Sequence, residues 1–336
     1  MNAPKVNASD YVQFLIASPR VVSGTEAARV QPYGSESAPA HDAFTRLLHR
    51  LEPDPAQLWK ESRSQVDRQH GVLILDDTTL DKPYARHMEL VTRHWSGKHR
   101  SVVQGINLLT LLWSDGHRLI PVDYRIYDRP RDGLTKNDHF RALLETAYAR
   151  GFEPACVLFD SWYSSLENLK AVRSYGWTWL TRLKGDRQVN PDGSGNRPVS
   201  ECEIDEEGSS RVHLRGYGFV RVFRIAPTNG DADDVEHWAS SDEQMSESTR
   251  RTYATFAWGI EQYHRGLKQH CGVERAQVRA ARAQRNHIGL SIRAFLRLEK
   301  NRIATGISWW EAKTSIIRDA IRAYLAKPRF TLGATA

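Results

Sequence analysis

The stretch Val72-Leu73-Ile74-Leu75-Asp76-Asp77-Thr78-Thr79-Leu80 constrains this chain more than any other. Four aliphatic residues in a row, with no Gly or Pro among them, read as a strand in a sheet covered on both faces. Two carboxylates stand at its end. A charge at the rim of a buried strand is costly to desolvate unless a base, backbone N–H groups or a metal ion pairs with it. No Lys or Arg follows before Lys82. The pattern recurs in Ala155-Cys156-Val157-Leu158-Phe159-Asp160, a second short apolar run that stops at an aspartate. A third carboxylate, Glu261, lies in a helical stretch, with His264, Arg265 and Lys268 following at i+3, i+4 and i+7. That spacing projects all four on one side of a helix.

With 336 residues, 40% hydrophobic and 26% charged, the chain has the composition of a globular protein with one large core, or a core and a smaller appendage. No apolar run approaches the roughly 18–20 residues of a membrane span, and the N-terminus lacks the apolar segment of a signal peptide, so a cytoplasmic location is expected. Cys156, Cys202 and Cys271 are odd in number and widely spaced, which argues against a disulfide framework and a structural zinc site. The net charge of +7 is unevenly placed: residues 250–336 hold 17 Lys/Arg against 5 Asp/Glu, and the remainder is net acidic. Such polarity points to a polyanionic partner for the C-terminal part.

Residues 1–70 read as a helical region, a possible DNA contact, with Ala43 to Leu51 showing helical apolar spacing and Pro53 and Pro55 ending that helix. Residues 71–184 alternate strand, strand, strand, helix, strand, helix, strand, a mixed α/β layout. Within them Ser114-Asp115-Gly116-His117 is a hairpin signal, Asn137 or Asp138 a helix cap, and Ser164-x-x-Glu167 a capping box. Arg93 to Arg100, with Trp95 and Lys98, resembles a loop that contacts a DNA backbone and offers one stacking residue. Residues 185–249 are turn-rich, with short strands, and read as a β-rich insertion. It carries 14 Asp/Glu against 6 Arg between Asp186 and Thr249, which does not suit a direct grip on phosphate. Residues 250–336 read as one long helix containing Glu261 and two further amphipathic helices, 284–303 and 308–325.

Two aspartates at strand ends and a glutamate on a helix form an all-oxygen set suited to a hard cation such as magnesium. Two such ions about 3.5–4 Å apart can serve phosphodiester chemistry, with Lys268 and Arg265 placed to hold a phosphate. His264, His270 and Cys271 do not have the spacing of a usual zinc set.

Leu75-Asp76-Asp77-Thr78-Thr79-Leu80, Leu158-Phe159-Asp160-Ser161-Trp162-Tyr163 and Trp258-Gly259-Ile260-Glu261-Gln262-Tyr263-His264-Arg265-Gly266-Leu267-Lys268-Gln269 resemble the three acidic motifs of DDE transposases from bacterial insertion sequences. The resemblance implies an RNase H-like catalytic domain, a mixed five-stranded sheet flanked by helices and interrupted by a β-rich insertion before the glutamate, with a helical C-terminal part. It implies that Asp76, Asp160 and Glu261 are catalytic and bind two Mg2+ ions, for which Mn2+ substitutes. Lys268 would contact the transposon-end strand, with Arg265 and His264 beside it. It also implies double-stranded DNA as partner, both terminal repeats and target, a homodimer in the synaptic complex, a hairpin intermediate, and an insertion tryptophan, here Trp238, holding a flipped base. Related groups carry Tyr and Arg seven and four residues before the glutamate, where this chain has Ala254 and Ala257. The first motif has two registers: D-x-T-x-L selects Asp76 and D-T-T selects Asp77. Because a strand alternates faces, only one can point at the metals, and Asp76 is preferred. A structure-specific nuclease or resolvase with the same site, and a DNA-binding protein with structural carboxylates, are the competing readings.

Overall fold

The computed structural model describes residues 4–32, 38–96, 101–204, 208–226 and 235–330. The acidic strand β1 (Val72–Asp81) lies at the centre of a large sheet. On one side it pairs antiparallel with β3 (Ser101–Ser114), which carries β2 (Thr92–Ser96) along its first half and β4 (Leu119–Ile126) along its second. On the other side β1 pairs parallel with β5 (Cys156–Phe159), and β5 with β6 (Trp179–Leu183). The order β4-β3-β1-β5-β6 is the five-stranded mixed sheet expected from the sequence.

The sheet does not stop there. The insertion pairs its last strand, β11 (Glu236–Ser240), antiparallel to β6. Beyond it follow β10 (Gly218–Ile225), β9 (Ser209–Leu214), β7 (Gln188–Asn190) and β8 (Arg197–Pro198), giving eleven strands among the described residues. The insertion thus extends the five-stranded core sheet. A bare β6 would present a row of unpaired N–H and C=O groups, and β11 covers it. One correction concerns Arg93 to Arg100: residues 92–96 form β2 rather than a loop, and Lys98 lies outside the described residues.

Strand alternation divides the core. Leu73, Leu75 and Asp77 face α6 (Lys136–Ala149), where Phe140 meets Phe159, the parallel partner of Leu75, with ring centroids 5.2 Å apart. Helices α5 (Arg129–Asp132) and α7 (Leu166–Ser174) flank α6 in the chain. Ile74 and Asp76 face α8 (Glu247–His270), which approaches so closely at Gly259 that a Cβ there would stand 2.6 Å from Leu119 Cδ2 and 4.0 Å from Ile74 Cδ1. Thr135 caps α6 through a capping box with Asp138, in place of Asn137 or Asp138 acting as cap, and Ser165 rather than Ser164 caps α7.

The sequence reading makes the C-terminal helices basic and amphipathic, and α9 (Ala281–Thr305) is buried on more than one side. Ile288, Leu290, Ile292, Phe295, Leu296 and Leu298 occupy more than one stripe, so the helix is wrapped on several sides. It is covered by α1 (Ala8–Ala17), α3 (His41–Arg50) and α4 (Pro55–Ser62) from the N-terminal region, with the short α2 (Gly24–Arg29) against α3. Tyr11 Oη meets His287 Nδ1 at 3.0 Å, and Asn286 donates to the carbonyls of Leu48 and Leu51. The last helix, α10 (Trp309–Ala326), touches α1, α8 and α9 through its first turns and is largely exposed beyond Ser315.

Candidate active site

The site starts from register. Leu75 is paired in parallel with Phe159, so the next step along both strands sets Asp160 beside Asp76, and parallel neighbours point to the same face. Asp160 keeps extended backbone, φ −81° and ψ 174°, and its Oδ1 accepts the Trp162 N–H at 2.9 Å, capping the short 3₁₀ turn Ser161–Tyr163. One step further across the sheet, Phe159 pairs with Thr181 and Thr181 with Ala239, so Arg182 and Trp238 continue the row begun by Asp76 and Asp160. Helix α8 lies over this face and presents Glu261 on its solvent side.

The electrostatics follow this geometry. Burial, then the carboxylates of Asp77, Asp160 and Glu261, push the Asp76 carboxyl well above the usual carboxylate range. Burial and Asp77 likewise raise Asp160. Asp77 behaves oppositely. Although burial would raise it, the Lys136 ammonium at 2.8 Å, the Tyr163 hydroxyl and Asn107 Nδ2 hold it below its ordinary value. Of the two adjacent aspartates, Asp77 is thus neutralised within the protein on the α6 side. Asp76, Asp160 and Glu261 have no ion pair among the described residues.

These three carboxylates fit a hard cation in donor chemistry: all are oxygen ligands, Asp76 is raised by its acidic neighbours, and only the Arg182 guanidinium across the sheet partly offsets Asp160. They are not a closed cage. Among the described residues no group of three or more His, Cys, Asp and Glu side chains is gathered as a ready metal cluster.

The remaining sequence candidates separate. Arg265 is exposed one turn beyond Glu261. His264 is only 4% exposed, its imidazole is pushed down to about 3 by burial and by Lys268, and its Nε2 has no hydrogen-bond partner among the described residues. It is a neutral core residue, which corrects its expected DNA contact, because the angle it makes with Glu261 on α8 turns it toward β1. Lys268 also departs from expectation: its Nζ donates to the Thr79 carbonyl at 2.7 Å and pairs with Glu274 at 3.1 Å, tying α8 to β1. Trp95 is 67% exposed, but its partner Val102 lies eight residues along β3 from Thr110, the partner of Asp76. That is roughly 26 Å at strand rise, so Trp95 is not brought to the acids. Trp238 is on the acidic row, partly buried, with its indole N–H on Glu236 and the guanidiniums of Arg182 and Arg250 5.9 and 5.7 Å from its ring.

Sequence reasoning missed Lys136, Tyr163 and Trp162. Nothing in the local pattern marks Lys136 as the partner of an aspartate 59 residues away. Trp162 lies inside the second acidic motif, only two residues from Asp160, and that proximity was the available signal.

Residues 4–253 match the family described as DDE superfamily endonuclease. The chain belongs to that family. The matched segment contains Asp76 and Asp160 and ends before Glu261. No curated protein sequence matches. Among solved structures, this family member is similar to piggyBac transposase in a synaptic complex with hairpin DNA. The identity is 14% over 98% of this chain and 74% of that one, with a TM-score of 0.52. Likeness to the Drosophila P element transposase strand transfer complex is weaker, with 9% identity, 98% and 88% coverage and a TM-score of 0.30. The first likeness carries the fold: a large mixed sheet flanked by helices, with a helical C-terminal part, as in a transposase catalytic core.

Proposed function

We propose that this endonuclease is a transposase that cuts DNA at the ends of its own element and joins the freed 3′-hydroxyls to a target, with Asp76, Asp160 and Glu261 holding two magnesium ions. The observation that carries the reading is the row in which Asp76 and Asp160 share one face of the sheet beneath the helix bearing Glu261, none of the three in an ion pair among the described residues, while Asp77 is already paired with Lys136. When bound, the cations supply activation of a water or 3′-hydroxyl and stabilisation of the leaving oxygen.

The chain's own residues do the positioning. The Asp77, Lys136, Tyr163 and Asn107 network anchors β1 from behind, so that Asp76 is held at a fixed height. Lys268 fixes α8 to the Thr79 carbonyl, which sets where Glu261 stands. Arg265, exposed beside Glu261, supplies a guanidinium to a DNA phosphate. Two element ends joined in one event call for two copies in the synaptic complex, and a hairpin intermediate at the cut end belongs to the same reading; piggyBac transposase is seen with hairpin DNA.

The test incubates duplexes carrying the element's ends and a target plasmid with magnesium, comparing wild type with Asp160→Asn and Glu261→Gln. Cleaved and joined products from wild type alone support the reading. Cleavage without joining replaces it with a nuclease. Cleavage unchanged in both variants removes these carboxylates from the chemistry, and binding without cleavage by wild type and variants alike leaves a DNA-binding protein with salt-dependent affinity.

A further inference from the structure

Two surfaces of this chain are left uncovered, and their chemistries are opposite. The first is a recess of about 640 Å³ bordered by Tyr148, Phe152, Glu153, Pro154, Tyr175 and Trp177. Tyr148, 55% exposed at the end of α6, stacks on Tyr175 with ring centroids 4.7 Å apart, and Trp177 stands 5.1 Å from Tyr175. Glu145, one turn before Tyr148, is exposed and close by: burial first, and then Glu145, push the Tyr175 hydroxyl up. Neither Glu145 nor Glu153 has an ion pair among the described residues. Arg68 borders the recess at Gly151, where its guanidinium donates to the Arg150 carbonyl. Aromatic faces rimmed by carboxylates attract a guanidinium or ammonium group. The second surface is the end of α10. Arg318 and Arg322 are paired with Glu311 and Asp319 on their own helix. Lys327 and Arg329 have no ion pair among the described residues, and Phe330 beside them is 85% exposed.

Within one molecule the two point apart. Trp309 packs at Gly266 and Lys313 Nζ donates to the His270 carbonyl at 2.8 Å, so α10 travels in the direction of α8. That helix runs from the β3–β4 hairpin, where Phe256 covers Gly116, to the acid end of the sheet, where Lys268 reaches Thr79. The recess lies at the other end, since the Ala155 N–H donates to the Gly71 carbonyl just before β5 and β1 begin, and Trp177 just precedes β6. Gly71 and Thr79 are roughly 26 Å apart at strand rise, and the free part of α10, roughly 18 Å at helical rise, leads away from that gap. We propose that Lys327, Arg329 and Phe330 dock in the Tyr148–Trp177 recess of a second copy of this chain, each copy giving a tail and receiving one. The two cations lie against the tyrosine faces and the Glu145 and Glu153 carboxylates, while Phe330 adds an aromatic edge to the cluster. A two-fold axis closes such a reciprocal pair of contacts into a dimer. The pairing goes beyond the cleavage reading and does not rest on it, because it joins two copies before any DNA is bound.

The test is sedimentation of the full chain without DNA or metal, with the dimer Kd as readout. Wild type is expected to dimerise at micromolar concentration, more weakly as salt is raised. Glu145→Arg with Glu153→Arg should raise Kd by at least roughly ten-fold, because like charges then face each other, and Lys327→Glu with Arg329→Glu should do the same. The chain carrying all four substitutions exchanges the charges across the contact and should recover most of the wild-type affinity. Tyr148→Ser should weaken the dimer without changing its salt dependence. All five positions are exposed, so unaltered melting temperatures are expected throughout. A wild type that stays monomeric, or a four-fold variant no tighter than either pair alone, overturns the proposal. So does loss of the dimer with the tail pair but not with the recess pair, which would mean that the tail binds elsewhere. Because cleavage is not read, the pairing can fail while Glu261 remains essential, and the reverse.

Discussion

Replacing each of the two adjacent aspartates by asparagine should move stability in opposite directions in protein stripped of divalent ions. Asp77 accepts from Lys136, Tyr163 and Asn107, and the side chains of Asp77 and Lys136 are 15% and 19% exposed. Asp77→Asn leaves the Lys136 ammonium part-buried without a counter-charge. The full cost of breaking a buried pair, about 3–5 kcal/mol, is reduced by that exposure to roughly 3 kcal/mol. With unfolding entropy of about 2.1 cal/mol/K per residue, Tm should fall by roughly 4 °C. Asp76 has no ion pair to lose, and its carboxyl is raised by burial and by Asp77, Asp160 and Glu261. A group whose folded pKa lies above its unfolded value favours the fold below the unfolded pKa, and that contribution is lost as pH rises through the folded pKa. Asp76→Asn should therefore raise Tm on the alkaline side of that transition and leave it nearly unchanged in acid. For Asp77, lowered in the fold, the sign reverses: its contribution is present above the unfolded carboxylate pKa and vanishes as pH falls through the folded one. Calorimetric scans in chelator across this pH range decide the matter. A Tm that falls with Asp76→Asn at alkaline pH, or that ignores Asp77→Asn, would refute the division of labour argued above.

Three further outcomes follow from the same geometry. Magnesium at about 100 times its Kd should stabilise the wild type by roughly 2.7 kcal/mol and have little effect on Asp76→Asn, read as a Tm shift. Glu261 is exposed on α8 without an ion pair among the described residues, so Glu261→Gln should change stability by under about 0.5 kcal/mol while lowering magnesium-dependent cleavage roughly a thousandfold or more. Glu299, fully buried, accepts from the Leu119 amide, the Arg302 guanidinium and the Trp309 indole. Glu299→Ala should cost about 4 kcal/mol by leaving those donors unpaired, seen as an early denaturant midpoint, whereas a surface-like effect would show that this junction of β4, α9 and α10 is not built as described.

Several expectations went astray for identifiable reasons. The helical spacing of Glu261, His264, Arg265 and Lys268 says which residues share a side, but not where burial begins across that side. His264 falls just inside the boundary, and Lys268 reaches sideways to a strand carbonyl. The amphipathic spacing of residues 284–303 points to one buried stripe, yet α9 is enclosed on several sides by helices that begin the chain. The insertion was legible as β-rich, but its pairing with β6 depends on an edge that no local pattern records.

The sequence by itself determined the two apolar strands that end in aspartates, the helix that carries Glu261, and the family these motifs resemble, because strand and helix periodicity and turn chemistry act over a few residues. It also required Asp76 and Asp77 to point opposite ways. Which of them meets Glu261 was decided only in three dimensions, by Gly259 admitting α8 onto the Ile74 face and by Phe140 seating α6 on the other. Burial and charge pairing depend on what packs from elsewhere in the chain, and that also placed Lys136 behind Asp77 and Trp162 in the open.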